Sequence, residues 1–353
     1  MNNVVLVGTQ RTYRLAWREI VKKILILGLL ILFVTTTVVS LAQDDVFRIA
    51  ALMPSATNDL AFSQSMYDAL VAIQAELGED AFEFTVQDST YIVDDAAVAL
   101  RDWAASGEYE LVIAHGSQYG PIVEELATEF TDVSFAWGTR QDTFGMDNVY
   151  SYAAASDEGG YFNGVLAARL TESGVVGLVG PIEVGDGKLY ADGFANGVAS
   201  VDENIEVNIV FIGSFSDVPL ATEAAETHIA NGADVLTGTA QMVVGPIAVA
   251  VANDVLWFGS DASQDDLSED IGVAFQIYKW EVLLLDMISN IKDGILGGEY
   301  YKLTLANEGL VMEYDKDFEI SDDLMAIADE TIAGIISGDI VPIPEMMEED
   351  SEE

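Results

Sequence analysis

Two histidines, sixty acidic side chains and no cysteine set the chemical repertoire of this 353-residue chain. Without cysteine there is no disulfide, no thiolate metal site, no sulfur nucleophile and no lipid-accepting Cys of a bacterial lipoprotein. His115 stands alone at the end of a strand-like block, and His228 reads as a helix-face residue. Neither sits in a pattern that acid–base catalysis needs. Residues 180–188 (GPIEVGDGK) look briefly like a phosphate loop, but Ile182 stands where its first glycine belongs and Leu189 replaces its Ser/Thr. No Gly-x-Ser-x-Gly elbow occurs. Carboxylates are so abundant that close pairs carry no signal. The expectation is a protein that is not an enzyme and holds no cofactor and no metal.

Small, polar and aromatic groups do recur after the strand-like blocks. They form the loops 54–59 (PSATND, with Phe62 one turn on), 115–120 (HGSQYG), 180–187 (GPIEVGDG), 238–241 (GTAQ) and 259–264 (GSDASQ). Such groups converging on a cleft suit a flat, polar ligand. Asp261 stands out, because a carboxylate that follows the buried strand 255–258 needs a partner or a ligand. Lys279 does too: it is one of nine basic residues after position 42 and opens the apolar helix 280–288.

The elements that must carry these loops alternate. Strand patterns at 46–53, 82–86, 110–114, 133–137 and 149–153 are interleaved with helical spacing at 58–77, at 93–105 and from about 121. A second series follows. Its helices fall at 159–170, 188–201, 219–231 and 244–253, and its strands at 175–179, 207–212, 234–236 and 255–258. Alternation of this kind predicts an α/β protein with two doubly wound parallel sheets. Ligands then sit beyond the carboxyl ends of the strands.

Residues 24–39 (ILILGLLILFVTTTVV) form an uncharged apolar run directly after Lys22 and Lys23. The run ends at Ser40 and Ala42, the small-residue spacing a signal peptidase reads. Residues 1–42 are therefore expected to be a signal peptide cleaved after Ala42, or else an N-terminal membrane anchor. Either way the rest faces the periplasm or the outer face of the plasma membrane, and the membrane is met only through this segment. The formal net charge of −46 repels phosphate backbones, so nucleic acid is not an expected partner. The acidic end, 341–353, is expected to be a disordered tail.

Several motifs, taken in order, resemble one family. Residues 58–65 (NDLAFSQS) are similar to D-K-S-F-N-Q-S, and residues 158–168 (EGGYFNGVLAA) to an E-G-s-Y-L-a-G-x-l-A-A helix. Further matches are 177–180 (GLVG), 193–197 (GFANG), 213–217 (GSFSD), 231–235 (NGADV) and 259–264 (GSDASQ). Together they resemble the basic membrane protein family, the purine-nucleoside-receptor type of ABC-transporter substrate-binding protein, over about residues 46–340. The resemblance implies a type I periplasmic-binding-protein fold that closes by a hinge around a nucleoside or related purine. It implies lobes at 46–155 (with a return segment at about 262–308) and 156–261 (with a return at about 309–340).

In that family an aromatic corresponding to Phe62 stacks on the base, and groups at Asp261 and Lys279 hold sugar hydroxyls. Three positions depart: Met53 stands where an aspartate usually ends the first strand, Ser63 where an Asn follows the motif's Phe, and Trp137-Gly138 where many members have an acidic residue. The candidate site is therefore Phe62 and Trp137 for stacking and Asp261 and Lys279 for a hydroxylated or polar part. Ser117, Gln118 and Gln241 add hydrogen bonds, and Asp59 and Phe215 complete the set. The expected protein is a monomer that hands a nucleoside-like ligand to an ABC permease. A ligand sensor signalling to a membrane receptor is the alternative use of the same fold.

Overall fold

The computed structural model describes residues 46–344. The apolar run, its cleavage point and the tail from 345 onward lie outside the described residues. The first sheet opens with β1 (Phe47–Leu52), β2 (Phe82–Gln87), β3 (Leu111–His115), β4 (Ser134–Gly138) and β5 (Val149–Ala154). The second sheet takes β6 (Val175–Gly180), β7 (Glu206–Phe211), β8 (Val235–Gly238), β9 (Leu256–Asp261) and β10 (Gly272–Tyr278). Two late strands, β11 (Tyr300–Leu303) and β12 (Leu310–Tyr314), then close one sheet each. The orders are β11-β5-β4-β3-β1-β2 and β12-β10-β9-β8-β6-β7. All pairings are parallel except β10 with β12, which is antiparallel. Both sheets belong to one compact unit that begins at Phe47.

The position of each strand follows from its residues. β3 (LVIAH) and β4 (SFAWG) are buried along their whole length, as central strands covered on both faces must be. β2 alternates and β7 is largely exposed, and these two stand at the sheet edges. Helix α1 (Phe62–Leu77) turns Met66, Ala69, Leu70 and Ile73 inward at helical spacing. Helix α2 (Val93–Ser106) stops at Gly107, whose φ of 67° is the left-handed cap that glycine supplies. Helices α3 (Gly120–Glu129), α4 (Ser156–Leu170), α5 (Gly185–Val201), α6 (Val218–Ala230) and α7 (Val244–Asn253) complete the two alternating series. α8 (Glu281–Lys292) and α9 (Asp322–Ser337) follow.

The glycine motifs of α4 and α5 have a packing cause. A Cβ at Gly164 would strike the Phe194 carbonyl, and one at Gly197 the Tyr161 carbonyl. The two helix backbones therefore lie almost in contact. This pins the start of α5 beside the point where the chain leaves the first sheet.

The chain crosses between sheets three times: after β5, after β10, and between β11 and β12. The first return was expected at about 262. It falls after Tyr278, because β10 still pairs with β9 in the second sheet. A short, fully buried run such as GVAFQIY reads as a strand but does not say which sheet takes it. The crossings are tied together. Ser156 Oγ and Tyr278 Oη lie 2.8 Å apart, the Leu305 N–H donates to the Glu158 carboxylate at 2.7 Å, and the Trp280 indole N–H donates to Ser65 Oγ at 2.9 Å. Among the described residues no helix is long and apolar enough to cross a membrane.

Candidate functional site

The carboxyl ends of both sheets open onto one cleft. The first sheet's side contributes Pro54, Phe62, Tyr91, Ser117, Gln118 and Arg140; the second's contributes Pro181, Asp186, Phe215, Ala240, Gln241 and Asp261. Of the expected residues, Phe62, Ser117, Gln118, Phe215, Gln241 and Asp261 are therefore brought together.

Phe62 begins α1 and lies flat on His115, with ring centroids 3.9 Å apart and planes 9° from parallel. His115 is wholly buried at the end of β3. Its Nε2–H donates to the Phe62 carbonyl at 3.1 Å, so Nδ1 is free to accept from the Tyr152 hydroxyl at 2.9 Å. Burial pushes the imidazole pKa down to about 3, which keeps the ring neutral. The isolated histidine of the sequence thus becomes a backing plate beneath the Phe62 ring. His228 is also buried, its Nε2 3.1 Å from the Leu178 carbonyl.

Asp59 does not line the cleft. Its carboxylate accepts from Ser55 Oγ at 2.6 Å and from the N–H groups of Ala61, Ser63 and Gln64 at 2.9–3.1 Å. It caps the start of α1 and so sets the position of Phe62. Ser63, at a departure from the family motif, joins the same loop by donating to or accepting from Ser55 Oγ at 2.6 Å.

Trp137, expected as a stacking ring for the ligand, lies behind the wall instead. It stacks on Phe144 at 4.8 Å and its indole N–H donates to the Gly116 carbonyl at 3.2 Å. Its ring covers Gly120 where any Cβ would collide with it, so it braces the 116–120 loop. Lys279, expected beside the ligand, lines a separate cavity with Asp68, Tyr278 and Glu313 on the far side of Asp261. Its Nζ is 3.9 Å from Glu313. Lys279 stands two residues past Ile277, the register partner of Asp261, at the carboxyl end of β10 and beside Asp261 rather than among the residues that line the cleft.

Asp261 is 3% exposed and has φ of 74°, a left-handed conformation that costs a non-glycine residue about 1–2 kcal/mol. Ala240, with φ of 72°, donates its N–H to Asp261 Oδ2 at 3.0 Å, and Thr239 Oγ1 lies 3.4 Å away. Burial raises the Asp261 pKa to about 6, opposed by the Ala240 N–H and the Tyr278 hydroxyl.

Asp186 was not singled out in the sequence. It lies in the first turn of α5, with one oxygen, Oδ2, closed to solvent and without a partner. Burial first, and the charge of Asp261 second, raise its pKa to about 8, against the pull of Lys302 and of the Ala154 backbone. No local signal marks it among sixty acidic residues; only the α4–α5 packing places it. Gln241 Oε1 is likewise closed off and unpartnered. Among the described residues no group of three or more His, Cys, Asp or Glu is arranged to hold a metal.

Residues 46–342 match a family described as ABC transporter substrate-binding protein, PnrA-like. The chain belongs to that family. Members of the PnrA-like family are solute-binding proteins of ABC transporters rather than enzymes, and such proteins act outside the cytoplasm. A purine-binding protein of Brucella abortus (strain 2308) is 26% identical over 265 residues, covering 74% of this chain and 73% of the relative. The transcriptional activator protein med of Bacillus subtilis (strain 168) is 23% identical over 256 residues, covering 72% and 78%. A solved ABC transporter solute-binding protein of Conexibacter woesei DSM 14684 superposes with a TM-score of 0.70 at 23% identity, over 84% of this chain and 98% of that one. Its fold is shared: two α/β lobes of the periplasmic-binding-protein kind.

Proposed function

We propose that this PnrA-like protein is the substrate-binding component of an ABC importer. It takes a purine nucleoside or nucleobase into the cleft between its sheets and delivers it to the permease. The observation that carries the reading is the aromatic ring of Phe62, backed by neutral His115, facing a wall of hydrogen-bonding groups across one cleft. A planar base stacks on such a ring while Ser117, Gln118, Gln241 and Asp261 meet its polar edges and hydroxyls. Phe215 encloses the ligand from the second lobe, and Asp59 and Trp137 act from behind by holding the loops. Lys279 acts through the cavity behind Asp261. Closure about the three crossings would bring the walls together and exclude water. The purine named for the Brucella abortus relative supports the ligand class. Residues 1–42 serve as the export signal or anchor, and the chain works as a monomer.

The test is a thermal-shift and calorimetry screen over nucleosides, nucleobases, sugars and amino acids. A bound purine raises the melting temperature as its excess grows. If no purine shifts the melt and a sugar or amino acid does, the ligand class is wrong. If Phe62→Ala and Asp261→Ala both leave affinity unchanged, the cleft is wrong.

A further inference from the structure

Two carboxylates line the cleft, Asp186 and Asp261, both from the second lobe. Both stand at its hinge end: Asp186 meets the backbone of Ala154 just before the first crossing, and Asp261 meets Tyr278 just before the second. Asp261 Oδ2 already has donors from Ala240 and Thr239. Asp186 Oδ2 has none and is shut away from water. An acceptor left this way is costly, and a donor on the ligand removes the cost.

The charges around Asp186 narrow the donor. Asp157 at the start of α4, Asp261 of β9 and Lys302 of β11 act on it, and its charge is felt by the hydroxyls of Tyr152, Tyr278 and Tyr300. Lys302 is the cation that acts on Asp186 and is shared with Asp157, while Arg140 lines the cleft from the first sheet's side. A ligand hydroxyl could pair with Oδ2 but would leave Asp186 held protonated by burial and by the charge of Asp261, and an anion would hold it more firmly. A nitrogen cation, or an N–H edge polarised like one, answers both. The rings of Phe62, Tyr91 and Phe215 line the same space, and aromatic faces attract a planar cation.

We propose that the hinge end of the cleft is a subsite for an amidine-type nitrogen edge of the ligand, and that Asp186, beside Asp261, selects it. This deepens the purine reading and rests on it for the cleft being the ligand's place. An aminopurine whose ring N–H adjoins an exocyclic amine presents the same donors as an amidine.

Calorimetry with two matched pairs tests it, in about 0.3 M NaCl so that non-specific attraction to the acidic chain is screened. Benzamidine is compared with benzamide, and guanosine with inosine, which lacks the 2-amino group. The first member of each pair should bind at least about tenfold more tightly. In Asp186→Asn, checked for folding by its thermal melt, both ratios should fall below about threefold, and Asp186→Ser should do the same. Equal affinities within the amidine pair in the wild-type protein overturn the subsite, as does a ratio that survives both substitutions. If the amidine preference depends on Asp186 but neither nucleoside binds, the subsite stands and the purine reading falls. If both nucleosides bind equally and Asp186→Asn changes nothing, the reverse holds.

Discussion

The two walls of the cleft are built on opposite principles. On the first lobe every group behind the stacking ring is already engaged: Asp59 with four donors, His115 through both ring nitrogens, Trp137 with the Gly116 carbonyl. On the second lobe two acceptors, Asp186 Oδ2 and Gln241 Oε1, are closed off without a partner. A wall that is satisfied before binding offers a rigid, undemanding surface. A wall with unmet acceptors rewards only a ligand that supplies the right donors. On the proposed function, the first lobe would supply affinity for flat rings in general and the second would supply selection.

The largest effect that would sharpen this contrast is expected at Asp261. Replacing it with Ala should weaken purine binding about 50–100-fold in calorimetry, from the ~2–3 kcal/mol of a charged hydrogen bond. Phe62→Ala should cost about 5–30-fold, equally for adenosine, guanosine and inosine, because stacking of ~1–2 kcal/mol is blind to base identity. A loss confined to one nucleoside would break the assignment of selection to the second lobe. His115→Ala should weaken binding about five- to tenfold by letting Phe62 tilt, and His115→Phe should restore most of that affinity without restoring the melting temperature. If His115→Phe binds no better than His115→Ala, the imidazole does more than back the ring. Smallest of all, Lys279→Ala should change affinity less than about threefold, since its Nζ is held near Glu313 behind Asp261.

The walls should also respond to pH in opposite senses. His115 has its pKa held near 3, below the ordinary 6.5, so the unfolded chain takes up this proton first. Its contribution to stability is complete above about pH 6.5 and is lost as pH falls toward 3. Asp186 has its pKa raised to about 8 from 3.8, so the folded chain keeps a proton that the unfolded chain has released. Stability from that group is complete at low pH and is lost as pH rises through the interval up to 8. Melting temperatures measured from pH 4 to 9 should show the alkaline limb flattened in Asp186→Asn and the acid limb flattened in His115→Phe. An unchanged alkaline limb in Asp186→Asn would mean that Asp186 is solvated.

Much of this was legible along the chain. The strand and helix blocks from β1 to β9 fall where periodicity puts them, because a 2.0 or 3.6 repeat of apolar residues is a local property. The glycines of the α4–α5 pair were visible as motifs. Their meaning, two backbones in near contact, was not. The loops at 115–120, 238–241 and 259–264 could be chosen because parallel sheets present the ends of their strands together.

What the sequence by itself determined is the order of elements, the cleft they imply, and the polar and aromatic character of its rim. Only the tertiary structure decided which sheet took β10, that Lys279 lines a separate cavity beside Asp261, and that Trp137 braces the 116–120 loop. It alone brought His115 beneath Phe62 and took one oxygen of Asp186 out of water. The reason is physical: desolvation and stacking belong to groups distant in sequence, and a side chain's neighbours across the fold leave no mark in its own local pattern.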